Sequence, residues 1–204
     1  MVIGVDFDNT IVSYDALFHR LAVERGLIPR SLPEDKTAVR DHLRSLGGEE
    51  KWTELQGLVY GPRIREAALF PGVREFFGRC RRAGLTVHIV SHKTRQPVIG
   101  PPHGLHDAAR GWLEHEGFFN PARVGLPRDH VHFGVTRLEK LGLIRALGCT
   151  IFIDDLEEVF REPEFPPGVK KILFAPQRQT TAPPNVKVFT SWPLIEKHVF
   201  EHAS

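Results

Sequence analysis

The sequence predicts an α/β fold: a mostly parallel sheet flanked by helices, interrupted by an inserted all-helical segment. Three observations predict it. Two short apolar runs, at residues 2–5 and 151–153, each end on paired carboxylates, Asp6/Asp8 and Asp154/Asp155. Buried parallel strands read as continuous apolar runs, and open α/β sheets bind ligands at the carboxyl ends of their strands. From Pro71 onward, helical and extended patterns alternate, which implies parallel strands joined by right-handed crossovers. Between the first strand and Pro71 the pattern is helical throughout, with no strand signature.

Each element has a local reason. Leu17, Phe18, Leu21 and Ala22 recur at helical spacing over residues 14–26, and Pro29 and Pro33 break that helix. A second helix begins near Pro33, carries Val39, Leu43 and Leu46 on one face, and ends at Gly47-Gly48. A third holds Trp52, Leu55 and Val59 and stops near Gly61-Pro62, and a short helical piece over 64–69 leads to Phe70-Pro71-Gly72. Residues 73–83 form a helix closed by Gly84, and 85–90 form a strand with Ser91 at its end. A Pro- and Gly-containing loop precedes a helix over about 105–116, followed by a strand over 130–135. Thr136 caps a helix over 137–147. The acidic-ended strand, two more strands at 171–174 and 186–189, and a helix over 194–202 complete the chain. The expected boundaries are therefore a core of residues 1–13 and 70–204 and a helical insert of 14–69.

Composition excludes several classes. With 204 residues the chain buries one core of ordinary size, and a formal net charge of +2 argues against a nucleic-acid partner or a charged membrane surface. No apolar stretch is long enough to span a bilayer. The first strand meets Asp6 at once, so no secretory leader is expected. Cys80 and Cys149 are far apart and lack metal-ligand spacing, which fits reduced thiols and a cytoplasmic protein. His103, His106 and His115 have poor zinc spacing and no cysteine beside them, and His130 and His132 alternate on a strand as structural residues do.

Four polar landmarks fall at or just after the carboxyl ends of predicted strands: Asp6/Asp8, Ser91, Lys140 and Asp154/Asp155. In this order they resemble the four motifs of the haloacid dehalogenase (HAD) superfamily of phosphohydrolases. Asp6, Asp8 and Thr10 match Asp-x-Asp-x-Thr, Ser91 matches the strand-ending Ser or Thr, and Lys140 matches the basic residue of a later helix. Asp154-Asp155 matches the terminal acidic pair, and Arg137 is the alternative basic residue. The chain departs from many members at Asn9, where they have Gly; Asn tolerates unusual turn conformations.

The resemblance implies a Rossmann-like core with an inserted cap and a magnesium-dependent phosphatase acting on a small phosphorylated metabolite, sugar phosphate or nucleotide-like. It implies Asp6 as the nucleophile that forms an aspartyl-phosphate and Asp8 as the general acid and base. Ser91 and Lys140 would bind the phosphoryl group. Asp6, Asp154, Asp155 and the backbone carbonyl of Asp8 would hold Mg2+. The second acid, Asp8, favours phosphoryl transfer over dehalogenation. On the substrate side the candidates are Thr10, His92, Lys93, Arg95 and Gln56. His92, Lys93 and Arg95 read equally as a solvated loop, and Gln56, beside Trp52 and Tyr60 at helical spacing, reads also as packing. Asp155 reads also as a helix cap. A phosphomutase, a nucleotide-directed phosphatase, and a non-catalytic binding or regulatory module on the same scaffold are the competing functions. The sequence carries no indication of oligomeric state.

Overall fold

The computed structural model describes residues 1–176 and 185–201. In chain order its strands are β1 (Val2–Val5), β2 (Val12–Ser13), β3 (Ala68–Leu69), β4 (Thr86–His92), β5 (Val131–Gly134), β6 (Ile151–Asp154), β7 (Lys170–Phe174) and β8 (Val186–Phe189). Its α-helices are α1 (Asp15–Glu24), α2 (Lys36–Ser45), α3 (Glu49–Tyr60), α4 (Val73–Arg82), α5 (Leu105–His115), α6 (Arg137–Ala146), α7 (Glu157–Arg161) and α8 (Trp192–Glu201). The chain divides into two compact units. Met1–Ile11, Leu69–Lys93 and Glu116–Ser204 form the first; Val12–Ala68 and Thr94–His115 form the second.

The first unit is built on a six-stranded, wholly parallel sheet of order β5-β4-β1-β6-β7-β8. From β1 the chain steps outward to β4 and β5, then returns to the other side of β1 as β6. That reversal makes the gap between β1 and β6 a topological switch point, where the connecting loops diverge and leave a crevice at the strands' carboxyl ends. The register pairs Val5 with Ile153, and the Asp6 N–H donates to the Ile153 carbonyl at 2.9 Å, so Asp6 and Asp154 emerge side by side. Gly4 makes this alignment possible, because a Cβ there would lie 2.5 Å from the Phe152 ring.

The core of this unit packs Phe152, Leu141, Ile144, Val159, Phe160 and Leu173 around the sheet. Burying each such side chain contributes roughly 1.5–3 kcal/mol. The Trp192 indole at the start of α8 donates to the Thr10 carbonyl at 3.0 Å, tying the turn after β1 to the last helix. Both cysteines are buried, and burial pushes their thiols up, Cys80 to about 12 and Cys149 to about 11, which disfavours the thiolate form.

The second unit is helical, as the periodicity predicts. Its interior is aromatic: Phe18 stacks on Trp52 with centroids 4.9 Å apart, and Tyr14 meets Tyr60 edge-on at 5.0 Å. The second helix starts at Lys36 rather than Pro33 because the Asp35 side chain accepts the Ala38 N–H at 2.7 Å and acts as its cap. The expected helical piece over 64–69 is a 3-10 turn, Ile64–Glu66, followed by the short strand β3, which pairs with β2. Two-residue strands are too short to leave an alternating pattern. Whereas the expected boundary placed residues 94–115 with the core, Thr94–His115 clusters with Val12–Ala68. Trp112 on α5 shows why, since its indole donates to the Ala67 carbonyl at 3.0 Å. The last helix begins at Trp192, and His202 of the expected helix lies outside the described residues. No helix among the described residues is long and apolar enough to cross a membrane.

Candidate active site

The site grows out of three strand ends and one helix. After β1, Phe7 turns into the core, fully buried, while Asp6 and Asp8 flank it. Asn9 then adopts φ 55, a left-handed conformation that Asn accepts more readily than most residues. The turn closes with the Ile11 N–H on the Phe7 carbonyl at 3.0 Å. Ser91 lies on β4 opposite Phe133 and is buried.

Lys140 reaches the site because the start of α6 is tightly specified. Thr136 accepts the Glu139 N–H at 3.1 Å, and Glu139 reaches back to accept the Val135 N–H at 2.8 Å, a reciprocal capping box. Gly134 lets the helix approach the end of β5, since a Cβ there would stand 2.8 Å from the Lys140 nitrogen. Helical side chains lean toward the N-terminus, which directs Lys140 back to the sheet edge. Its ammonium donates to Asp6 Oδ1 at 2.6 Å and to Asp154 Oδ2 at 2.7 Å, with the side chain 2 % exposed. Arg137, the alternative basic residue, is half-exposed and pairs instead with Glu162.

Asp6, Asp154 and Asp155 each offer an oxygen within 4.8 Å of the others, the one such group of three or more ligating side chains among the described residues. Three carboxylates facing one ammonium leave an excess of negative charge, and hard oxygen donors are what Mg2+ takes, so the residues present fit that ion. Thr10 donates to Asp155 Oδ1 at 3.4 Å. Asp154 Oδ1 accepts the Leu156 N–H at 3.0 Å, just before the start of α7.

The charges are strongly perturbed. Burial pushes Asp6 up to about 7; Lys140 opposes that rise, and the charges of Asp154 and Asp8 add to it. For Lys140, burial works against the ammonium, yet Asp154 and Asp6 outweigh it and raise its proton affinity. The Lys140 ammonium, held between two short contacts, needs carboxylate acceptors, and Asp6 and Asp154 supply them.

The remaining sequence candidates fall in different places. Lys93, just beyond β4, is buried, and its ammonium lies 3.0 Å from Oδ1 and 2.8 Å from Oδ2 of Asp8. The Asp8 carboxylate therefore stands apart from the acidic trio. The His92 ring is exposed, and its Nε2 donates to the Val135 carbonyl at 3.1 Å. Arg95 and Gln56 lie in the helical unit; Arg95 is exposed and its carbonyl accepts the Leu105 N–H at 3.0 Å. The sequence does not indicate the Lys93–Asp8 contact, because the residues around Lys93 read as a polar loop. It also does not indicate that His88 joins His130 and His132, with its Nδ1 3.2 Å from His132 Nε2.

No protein-family profile matches this chain, and no curated protein matches it either. Solved structures do. A predicted phosphatase from Clostridium acetobutylicum superposes with a TM-score of 0.60 at 14% identity, covering 98% of each chain. A phosphoserine phosphohydrolase-like protein from Francisella tularensis gives 0.56 at 13% identity, covering 98% of this chain and 99% of that one. A HAD-superfamily hydrolase from Ehrlichia chaffeensis gives 0.54 at 12% identity, covering 100% and 97%. With its parallel sheet, its acidic switch point and these full-length likenesses, the chain has the fold of the HAD-superfamily hydrolases.

Proposed function

We propose that this protein is a phosphatase that cleaves small phosphate monoesters through an aspartyl-phosphate at Asp6. The observation that carries the reading is the Lys140 ammonium held between Asp6 and Asp154 at the switch point, beside a third acid, Asp155. Asp6, Asp154, Asp155 and the Asp8 carbonyl would hold Mg2+, whose charge screens the repulsion between a phosphate dianion and an anionic nucleophile.

A carboxylate oxygen of Asp6 attacks phosphorus and the bond to the leaving oxygen breaks, while Asp8 delivers a proton to that oxygen. Asp8 then takes a proton from a water that attacks the phosphorus of the aspartyl-phosphate, which releases inorganic phosphate and restores Asp6. Ser91 donates a hydrogen bond to a phosphoryl oxygen, and Lys140 neutralises charge that builds as the bonds exchange. Thr10 orients Asp155.

A silent binding module on this scaffold is the weaker reading. Burying an ion costs several kcal/mol even after relaxation, and this edge buries Asp6, Asp154, Lys140 and Lys93 together. The test is hydrolysis of an aryl phosphate with and without Mg2+, followed by a panel of sugar phosphates and nucleotides. Turnover that needs Mg2+ supports the reading; turnover that survives exhaustive chelation, or none at all, contradicts it.

A further inference from the structure

The buried lysine beyond β4 has no part in the steps above, yet it is held in a specific place. The Lys93 N–H donates to the Gly134 carbonyl at 2.9 Å, which extends the β4–β5 ladder by one residue and fixes its backbone. Its ammonium lies 5.6 Å from the centroid of Phe7, the buried residue between Asp6 and Asp8. Phe7 is itself held edge-on by Phe133 at 6.2 Å. The same ammonium reaches both oxygens of Asp8, at 3.0 and 2.8 Å. Lysine is rarely this buried unless paired, and here the whole residue is 5 % exposed. These donors point at a protein carboxylate, which differs from the substrate contact expected of Lys93 in the sequence.

We propose that Lys93 is the positioning residue of the acid–base carboxylate, orienting Asp8 toward the leaving oxygen. The proposal rests on the reading of Asp8 as the group that protonates that oxygen. An aspartate side chain has two free torsions, and one ammonium spanning both carboxylate oxygens sets both of them. Proton delivery requires the acid within about 2.6–3.2 Å of its target, so a carboxylate that swings freely is a poor acid. A second consequence concerns the acidic trio. Unrestrained, the Asp8 carboxylate would be drawn to any cation held by Asp6, Asp154 and Asp155. Paired with Lys93, it stays out of that set. To act as the acid, Asp8 takes up a proton from solvent on one oxygen, which leaves Lys93 and turns to the leaving oxygen, while its other oxygen stays on Lys93, so the orientation persists through P–O cleavage.

The test compares kcat and KM of the wild type, Lys93→Met, Lys93→Arg, Asp8→Asn and the double variant on an activated aryl phosphate and an alkyl phosphate. Lys93→Met should lose about a hundredfold or more in kcat on the alkyl ester, whose leaving group needs a proton, and about tenfold or less on the aryl ester. Its KM values should stay close to wild type. Lys93→Arg, which can still donate to a carboxylate, should recover part of the alkyl rate. The double variant should be no slower on the alkyl ester than Asp8→Asn alone, because Lys93 acts through Asp8. Equal losses on both esters, a raised KM with kcat retained, or multiplicative losses in the double variant would overturn the proposal. Should Lys93→Met lose its cooperative melting transition, Lys93→Arg decides: a leaving-group-dependent loss supports the proposal and a uniform loss overturns it. Wild-type protein inactive on both esters is a separate result, which refutes the phosphatase reading on which the proposal stands.

Discussion

The two units treat charge in opposite ways. Among the described residues, the buried polar and charged side chains, Asp6, Thr10, Ser91, Lys93, Lys140 and Asp154, all belong to the sheet unit. The helical unit buries Leu17, Phe18, Leu21, Val39, Leu43, Trp52, Leu55 and Val59, and keeps ion pairs such as Arg44–Glu49 and Arg63–Glu66 at the surface. Exposed pairs are worth about 0–1 kcal/mol, whereas buried ions carry a desolvation penalty of several kcal/mol each. Packing accounts for the helical unit's interior. It does not account for the sheet unit's carboxyl edge, where charge is kept at the expense of stability. Such a pattern is expected of a reactive centre.

The largest effect that could break this contrast is at Asp6. Asp6→Asn keeps the size and removes the attacking charge, so kcat on an aryl phosphate should fall by about ten-thousandfold or more. A variant near wild-type rate would make the buried acid a structural oddity. Next is Asp8→Asn, expected to lose roughly a hundred- to ten-thousandfold on an alkyl phosphate and markedly less on an activated aryl phosphate. Equal losses would remove Asp8 as the proton donor.

In the helical unit the expectation reverses, with stability as the readout. Trp52→Ala removes a buried ring stacked on Phe18 and should cost about 3–5 kcal/mol in denaturant unfolding. Gln56 is half-buried, so Gln56→Ala should cost markedly less stability than Trp52→Ala. If the helical unit selects the substrate, that variant alters the ratio of sugar-phosphate to nucleotide rates and spares the aryl phosphate rate; a uniform fall across all substrates would return Gln56 to packing.

The smallest expected effect lies in the sheet unit, at the histidine cluster. Burial first, then the neighbouring His130 and His132, pushes His88 down from 6.5 to about 4, with Asp129 opposing. The folded protein thus holds His88 neutral where the unfolded chain would protonate it. The linked stability is fully present above 6.5 and is lost as pH falls toward 4. Denaturant midpoints at neutral and acid pH should fall further in the wild type than in His88→Gln; an equal fall would show that His88 does not contribute.

Legibility divides along the same line. The strands β1 and β6 are visible as apolar runs because they are buried at nearly every position, and the acids that end them mark the switch point before any coordinates are known. The strands β2 and β3 are invisible because two residues carry no period. The grouping of Thr94–His115 with the helical unit depends on the Trp112 bond to Ala67, a contact between residues 45 apart in the chain. Lys140 and Arg137 share the first turns of one helix, and only their folded partners separate them, Asp6 and Asp154 for Lys140 and Glu162 for Arg137. The Lys93–Asp8 pair joins positions 85 apart and leaves no local trace.

If Asp6 is a covalent nucleophile, its aspartyl-phosphate can be trapped chemically. Protein mixed with a reactive aryl phosphate and Mg2+ is quenched in acid during turnover and reduced with borohydride, which converts an acyl phosphate to an alcohol. Peptide mass analysis should find the Asp6 peptide carrying that reduced side chain, with Asp8, Asp154 and Asp155 unchanged and no modification in Asp6→Asn. Sustained turnover with every one of these carboxylates unmodified, or the same modification in Asp6→Asn, would contradict the account.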